Sequence, residues 1–447
     1  MEKNIQVDLL HGSIGKGLMA FAIPIMISSV FQQLYNMVDI MIVGNILGDT
    51  ALAAIGSSSP IYDLLMGFAL GVGSGLSIVT ARSYGGGDME ELKKSVASSL
   101  VISLGVSLLV TLIAIVGLKP FMRLLKTPEE VMDEAYAYIS LITQLCVIMV
   151  FFNLLSRLLN AVGNSIAPLI FLVIASVLNV ALDYLMVGVW NLGIRGAAIA
   201  TVISQAISVV LCLLYIFLRC PILIPSKRHF HLEKPIMTEM MAQGLSMGLM
   251  SSIVNIGTVT LQSGINGLGY LVIAGHTAAR KLFSFCSLPF GCMATALSTF
   301  VSQNRGADQG KRIRQSIRFV VYFSLITTIL VSSIMYVACP AMTAWISGSS
   351  EPVVLNNAVT YIRCSTPFYF PLGILLSLRC ALQGLGQKLL PLVSSGIEMV
   401  GKIFFTIFLI PVYGYTAVIF CEPILWCCMV LQLVWAFYRN PYIQAAK

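Results

Sequence analysis

The sequence predicts an all-α polytopic membrane protein, with twelve transmembrane helices arranged as two six-helix repeats. Three observations predict it. Of the 447 residues, 57% are hydrophobic and only 10% are charged, against roughly 25% charged in an average soluble domain. The apolar residues fall into recurring runs, most of them long enough to supply the ~20 residues that a membrane-spanning helix requires. Three sequence landmarks also recur in the same order 221 to 223 residues further along the chain. Together these exclude a soluble globular enzyme, a disordered chain and a secreted disulfide scaffold. Most of the 11 cysteines, such as Cys146, Cys212, Cys292 and Cys421, lie inside apolar runs and read as small buried hydrophobes.

The first repeat carries spans near 17–43, 52–80, 95–118, 136–159, 166–188 and 197–218. The first of these lacks a small-residue cleavage site and reads as a retained helix, not a signal peptide. A polar segment with Pro221, Pro225 and Pro235 follows and reads as a link between lobes. The second repeat carries spans near 243–266, 271–300, 316–338, 359–383, 390–411 and 413–437. The expected organisation is a lobe at 1–218, a cytoplasmic linker at 219–242 and a second lobe at 243–447. The repeat rests on Asn45–Ile46–Leu47–Gly48 against Asn266–Gly267–Leu268–Gly269, and on the runs Gly85 to Leu92 and Gly306 to Ile313. It rests also on Gly163–Asn164…Pro168 against Gly386–Gln387…Pro391. Sorted by side, 19 Lys and Arg fall with the termini and 7 fall opposite. By the positive-inside rule both termini are expected in the cytoplasm. The formal net charge of +8 is therefore a topology signal, and nucleic acid is not an expected partner.

Enzyme chemistry finds no motif. A GxxxxGK[ST] phosphate loop is absent. Gly67, Gly71 and Gly75 have the small-xxx-small spacing of packed membrane helices. Gly244–Leu245–Ser246–Met247–Gly248 matches a nucleophile motif by letter, but that motif needs a strand–turn–helix setting and here it opens an apolar helix. No catalytic residue, resident cofactor or structural metal is expected.

Charges inside spans are the informative residues, because they are costly in lipid and face cavities or partners. Gln32, Asn36 and Asp39 are spaced along one face of the first helix. Asp183 lies one turn from Asn179 on the fifth, and Asn153 is mid-span on the fourth. These residues can pool two carboxylates and several amides in one cation or proton site. Through the repeat, Asp39 corresponds to Thr260, Asn153 to Leu376, Asn179 to Lys402 and Asp183 to Thr406. The acidic site is therefore expected in the first lobe alone. Glu398 and Lys402 are one helical turn apart and read either as a mutually neutralising pair or as part of a substrate cavity. Gln32, Asn36 and Gln262 are further cavity candidates. Asp63 and Glu422 read as span-end residues that reach water. Pro24 sits mid-helix and removes one backbone donor, which predicts a kink.

These residues carry a family resemblance. Pro24 to Gly44 with Gln32, Asn36 and Asp39, Ala54–Ile55–Gly56, Gly85 to Asp88, Arg157…Gly163–Asn164, Asn179…Asp183 and Ala274–Gly275–His276 resemble the multidrug and toxic compound extrusion (MATE) family along nearly the whole chain. The resemblance implies two six-helix lobes around a central cavity, in a multi-pass protein of the bacterial inner membrane. It implies alternating-access antiport that expels organic, often cationic, compounds while H⁺ or Na⁺ enters. Asp39, Asn179 and Asp183 match the ion-coupling positions of the DinF-like branch, with Asn153 and Thr201 as neighbouring polar positions; Na⁺ would bind at Asp39 and Asp183. The NorM-like branch has an acid in the seventh helix, and residues 243–300 contain none. The resemblance also implies bending of the first helix at Pro24. Expected partners are small organic molecules and membrane lipid, with no obligatory protein partner. A flippase for lipid or lipid-linked oligosaccharide shares the superfamily fold and is the nearest rival; a membrane-embedded enzyme is third.

Overall fold

A computed structural model of the protein describes residues 6–124, 127–231, 233–349 and 351–445. Lys3, Lys126 and Lys447, which enter the loop-charge comparison, lie outside them. The described residues contain helices and no strand. In chain order the first seven helices are α1 (Ile14–Leu47), α2 (Asp49–Gly85), α3 (Met89–Leu124), α4 (Glu129–Gln144), α5 (Cys146–Ala161), α6 (Ile166–Asp183) and α7 (Ile194–Arg219). After two 3₁₀ turns come α8 (Lys234–Asn266), α9 (Tyr270–Gly306), α10 (Gly310–Ser347), α11 (Pro352–Ser365), α12 (Tyr369–Gly384) and α13 (Leu389–Phe404). The chain closes with α14 (Ile410–Tyr413), α15 (Tyr415–Tyr438) and α16 (Pro441–Ala445).

Among the described residues, eleven helical segments are long and apolar enough to cross a membrane, and twelve if the bent pair α4–α5 is one span. That pair bends by 50° at Leu145, within the single span that the sequence predicts near 136–159. The break has a local cause. Thr143 turns its hydroxyl back onto the Ile139 carbonyl at 2.8 Å, while Thr111 on α3 donates to the Thr143 carbonyl at 3.1 Å. Side chains that enter the helical ladder in this way kink it. Lipid-facing positions are apolar, as on α3 (Leu108, Leu112, Ile115, Val116) and α10 (Ile326, Ile329, Val337), all of them exposed on the protein surface.

The chain divides into two compact units. One comprises residues 1–8 and Ile23–Ser252, the other Leu9–Ala22 and Ile253–Lys447. The divisions fall inside α1, two residues before Pro24, and inside α8, not within the polar segment 219–242. That segment is bound to the first unit by ion pairs: Arg82–Glu239 (2.6 Å), Lys94–Glu233 (2.7 Å), and Arg228 and His229 on Glu90 (3.0 and 3.2 Å). The segment leading into α1 is held in the second unit, where Asn304 donates to the Leu9 carbonyl at 3.1 Å and Arg312 to the Gly12 carbonyl at 2.9 Å. α1 runs unbroken through Pro24.

The small-xxx-small glycines of α2 and the Gly244–Gly248 pattern of α8 pack on one another in the first unit. A Cβ on Gly71 would lie 2.8 Å from the Met247 carbonyl oxygen, and one on Gly75 would lie 2.6 Å from that of Gln243. Gly244 and Gly248 return the contact onto Val72. The glycines let the backbones of α2 and α8 approach closely, as small residues do in membranes.

The repeat landmarks adopt the same local geometry in both halves. Gly163 and Gly386 have φ of 88° and 84°, and the next amide reaches back five residues, Asn164 to Leu159 and Gln387 to Leu382. This is a glycine-dependent helix stop. Each half also carries a π-helical turn after the corresponding helix, at Tyr184–Val189 and at Phe405–Leu409.

Candidate functional site

In the first unit a cavity of about 520 Å³ opens between α1, α2, α4, α5, α6 and α7. The helical spacing of Gln32, Asn36 and Asp39 presents all three to it, and Asn153 and Thr201 join them from α5 and α7. Asp63 also lines it. Asp63 lies in the middle of α2 and not at a span end, because α2 extends to Asp49 and Gly85.

Asp183 stands behind this wall. Its side chain is completely enclosed, and Asp39 is only 8% exposed. The two carboxyls lie within hydrogen-bonding reach of each other. Neither oxygen of Asp183 receives a donor, nor does Oδ1 of Asp39. A carboxylate only accepts, so a hydrogen bond between two carboxyls requires a proton on one of them. Two negative charges in contact inside an apolar bundle repel strongly, and one bound cation removes most of that cost. Asn179, also buried, donates to the Thr201 hydroxyl at 3.5 Å, and Thr201 donates to the Ala197 carbonyl at 3.1 Å. The carbonyl oxygens of Asn179 and Asn153 receive no donor. The π-helical turn begins immediately after Asp183, and such turns recur at functional sites.

The MatE family model matches residues 24–185 and, a second time, residues 246–408. The chain belongs to the MatE family. The twofold match coincides with the internal repeat. The Probable multidrug resistance protein YoeA of Bacillus subtilis is 27% identical over 332 residues, which cover 73% of this chain and 72% of that one. The Multidrug export protein MepA of Staphylococcus haemolyticus is 22% identical over 431 residues, 96% of this chain and 92% of that one. A solved outward-facing multidrug resistance MATE family transporter of the MOP superfamily has the same fold, with a TM-score of 0.89 at 22% identity over 100% of this chain and 99% of that one. The protein is accordingly a multi-pass membrane transporter and not an enzyme.

In the second unit this MATE chain carries a buried ion network that the sequence reading only partly identified. Lys402, 2% exposed, donates to Glu398 at 3.0 Å and to Thr258 at 3.1 Å, and pairs with Glu422 at 3.4 Å. Arg379 pairs with Glu398 at 3.4 Å and donates to Ser394 at 2.9 Å. Arg280 pairs with Glu422 at 2.6 Å, and Tyr361 donates to the same carboxylate at 3.2 Å. Glu398 and Lys402 are therefore one link of a five-residue network, not a self-contained pair. Glu422 is an interior member and not a span-end residue: it is the eighth residue of α15 and is buried. Arg280 and Arg379, which the charge comparison places in loops, lie within α9 and α12. The signal for both was present, since each falls inside a predicted apolar span, where an unpaired cation is costly. Gln262 stands apart, donating to Asn266 on its own helix at 2.9 Å.

Proposed function

We propose that this transporter is a secondary antiporter that exports organic, often cationic, compounds by alternating access, and that H⁺ entering through the Asp39–Asp183 pair drives it. The observation that carries the reading is the pair of enclosed carboxyls in mutual contact, three of whose oxygens receive no donor. A proton shared between them satisfies both and leaves a single negative charge. Proton release then restores the charge that holds a cationic substrate in the adjoining cavity, so substrate and proton compete through one electrostatic term. A cavity of about 520 Å³ suits a drug-sized ligand, for which pockets run ~300–1,000 Å³. That size favours small organic molecules over a lipid-linked oligosaccharide.

Sodium is the second reading. It is supported by the donorless oxygens of Asp39, Asp183, Asn179 and Asn153, which together with Thr201 resemble the oxygen set a hard cation takes. The deciding experiment uses proteoliposomes with an imposed pH or Na⁺ gradient and a fluorescent cationic dye. One pH unit is worth 1.36 kcal/mol, enough to sustain about a tenfold dye ratio per proton exchanged. Asp39→Asn and Asp183→Asn should each abolish gradient-driven accumulation while the protein remains monodisperse. Wild-type flux in both variants under either gradient would place the coupling elsewhere.

A further inference from the structure

The network in the second unit is unequally charged. Among the described residues, Arg280, Arg379 and Lys402 pair with two carboxylates, Glu398 and Glu422. Lys402 donates to Glu398 and Thr258 and is enclosed against Glu422 at 3.4 Å. Arg379 uses Nε on Ser394 and Nη2 on Glu398. Arg280 differs. It places a single nitrogen, Nη1, on both Glu422 and Tyr361, and the Phe283 ring lies beneath the guanidinium at 4.6 Å. Its side chain is 33% exposed although it lies well inside α9. The network thus carries one net positive charge, and Arg280 is its most accessible member, with donors to spare. A net positive charge at membrane depth calls for a polar cavity or a further counter-ion. The planar guanidinium fork matches a carboxylate. Phe283, stacked at 5.8 Å on the buried Trp426, fixes the guanidinium in place.

We infer that Arg280 heads an anion-binding site in the second unit, which takes a singly charged anion, either free chloride or the carboxylate of a small aromatic molecule. The site goes beyond the cation-coupled export proposed for the first unit and does not rest on it. Salicylate is the probe for the organic anion, salicylamide is its neutral analogue and chloride is the inorganic anion. Binding of radiolabelled salicylate is measured on the full-length protein in phosphatidylcholine nanodiscs, in gluconate buffer and without a gradient. The wild type should bind salicylate and not salicylamide. Arg280→Gln should weaken binding by about tenfold or more, the scale of one lost charge-assisted hydrogen bond. Glu398→Gln enlarges the positive excess and should tighten binding; it carries the test if Arg280→Gln does not fold. Displacement of salicylate by millimolar chloride identifies chloride as the occupant. Resistance to chloride identifies the organic carboxylate. Asp39→Asn should leave binding intact, so failure of the antiport reading and failure of this one are distinguishable. Equal binding of salicylate and salicylamide, no salicylate binding by the wild type, unchanged binding in Arg280→Gln, or weaker binding in Glu398→Gln would each overturn the site.

Discussion

Two substitutions in the second-unit network, Lys402→Met and Glu422→Gln, are predicted to differ in cost in a direction that simple burial would reverse. Lys402 is the more enclosed residue, with a side chain 2% exposed against 10% for Glu422. Its removal nevertheless leaves no carboxylate alone. Glu398 keeps Arg379 at 3.4 Å and Glu422 keeps Arg280 at 2.6 Å. The excess charge disappears, and a methionine fills the volume of the lysine stem. Glu422→Gln does the opposite. Arg280 loses its carboxylate, Lys402 keeps only Glu398 at 3.0 Å, and the positive excess grows. Breaking a buried pair costs about 3–5 kcal/mol because it leaves an uncompensated charge. Lys402→Met therefore belongs at or below about 3 kcal/mol and Glu422→Gln near about 5 kcal/mol. At about 2–4 °C per kcal/mol for a cooperative unit of this size, the unfolding midpoints should separate by at least about 4 °C, with Glu422→Gln lower. The assay is thermal unfolding of both purified variants in one detergent at pH 7, followed by loss of the monodisperse peak. A Lys402→Met midpoint equal to or below that of Glu422→Gln would refute the charge-pairing argument.

Three further outcomes are expected. Gly75→Val should destabilise the protein by about 1–3 kcal/mol or more, since its Cβ would sit 2.6 Å from the Gln243 carbonyl oxygen. Gly56→Ala, with nothing within 4 Å of the added carbon, is the neutral control, and equal unfolding midpoints for the two would be incompatible with tight α2–α8 packing. Pro24→Ala restores the amide missing from α1 and should slow dye flux more than it lowers expression; wild-type flux would remove the proline from the transport cycle. Lys227→Cys, in a Cys428→Ser background because Cys428 is exposed, should resist an impermeant thiol reagent in intact cells. Ready labelling there would reverse the cytoplasmic orientation proposed for the inter-lobe segment and both termini.

The sequence by itself determined what depends on local periodicity and on the demands of lipid. Every backbone group in a membrane must be paired within its own segment, so apolar runs of sufficient length specify helices, and polar breaks with glycine specify their ends. Gly163 and Gly386 stop their helices in the same left-handed conformation, and their spacing makes the repeat legible in the sequence. The Gln32–Asn36–Asp39 face was legible for the same reason, since three residues on one helix share a face by geometry alone. Tertiary structure alone decided which faces meet. Asp39 and Asp183 are far apart in the chain, and their contact depends on how α1 and α6 are rotated within the bundle. The charge cost of a buried Glu398, Glu422 or Lys402 announces that a partner exists without naming it, and only the packing of α9, α12, α13 and α15 supplied Arg280 and Arg379. The glycines of α2 and α8 carried the same ambiguity. Their spacing implied a close-packed helix neighbour, but which helix it was became clear only when Gly71 and Gly75 met Gly248 and Gly244. The unit boundaries inside α1 and α8 were hidden too, because a helix that passes from one packed body into another keeps its periodicity throughout.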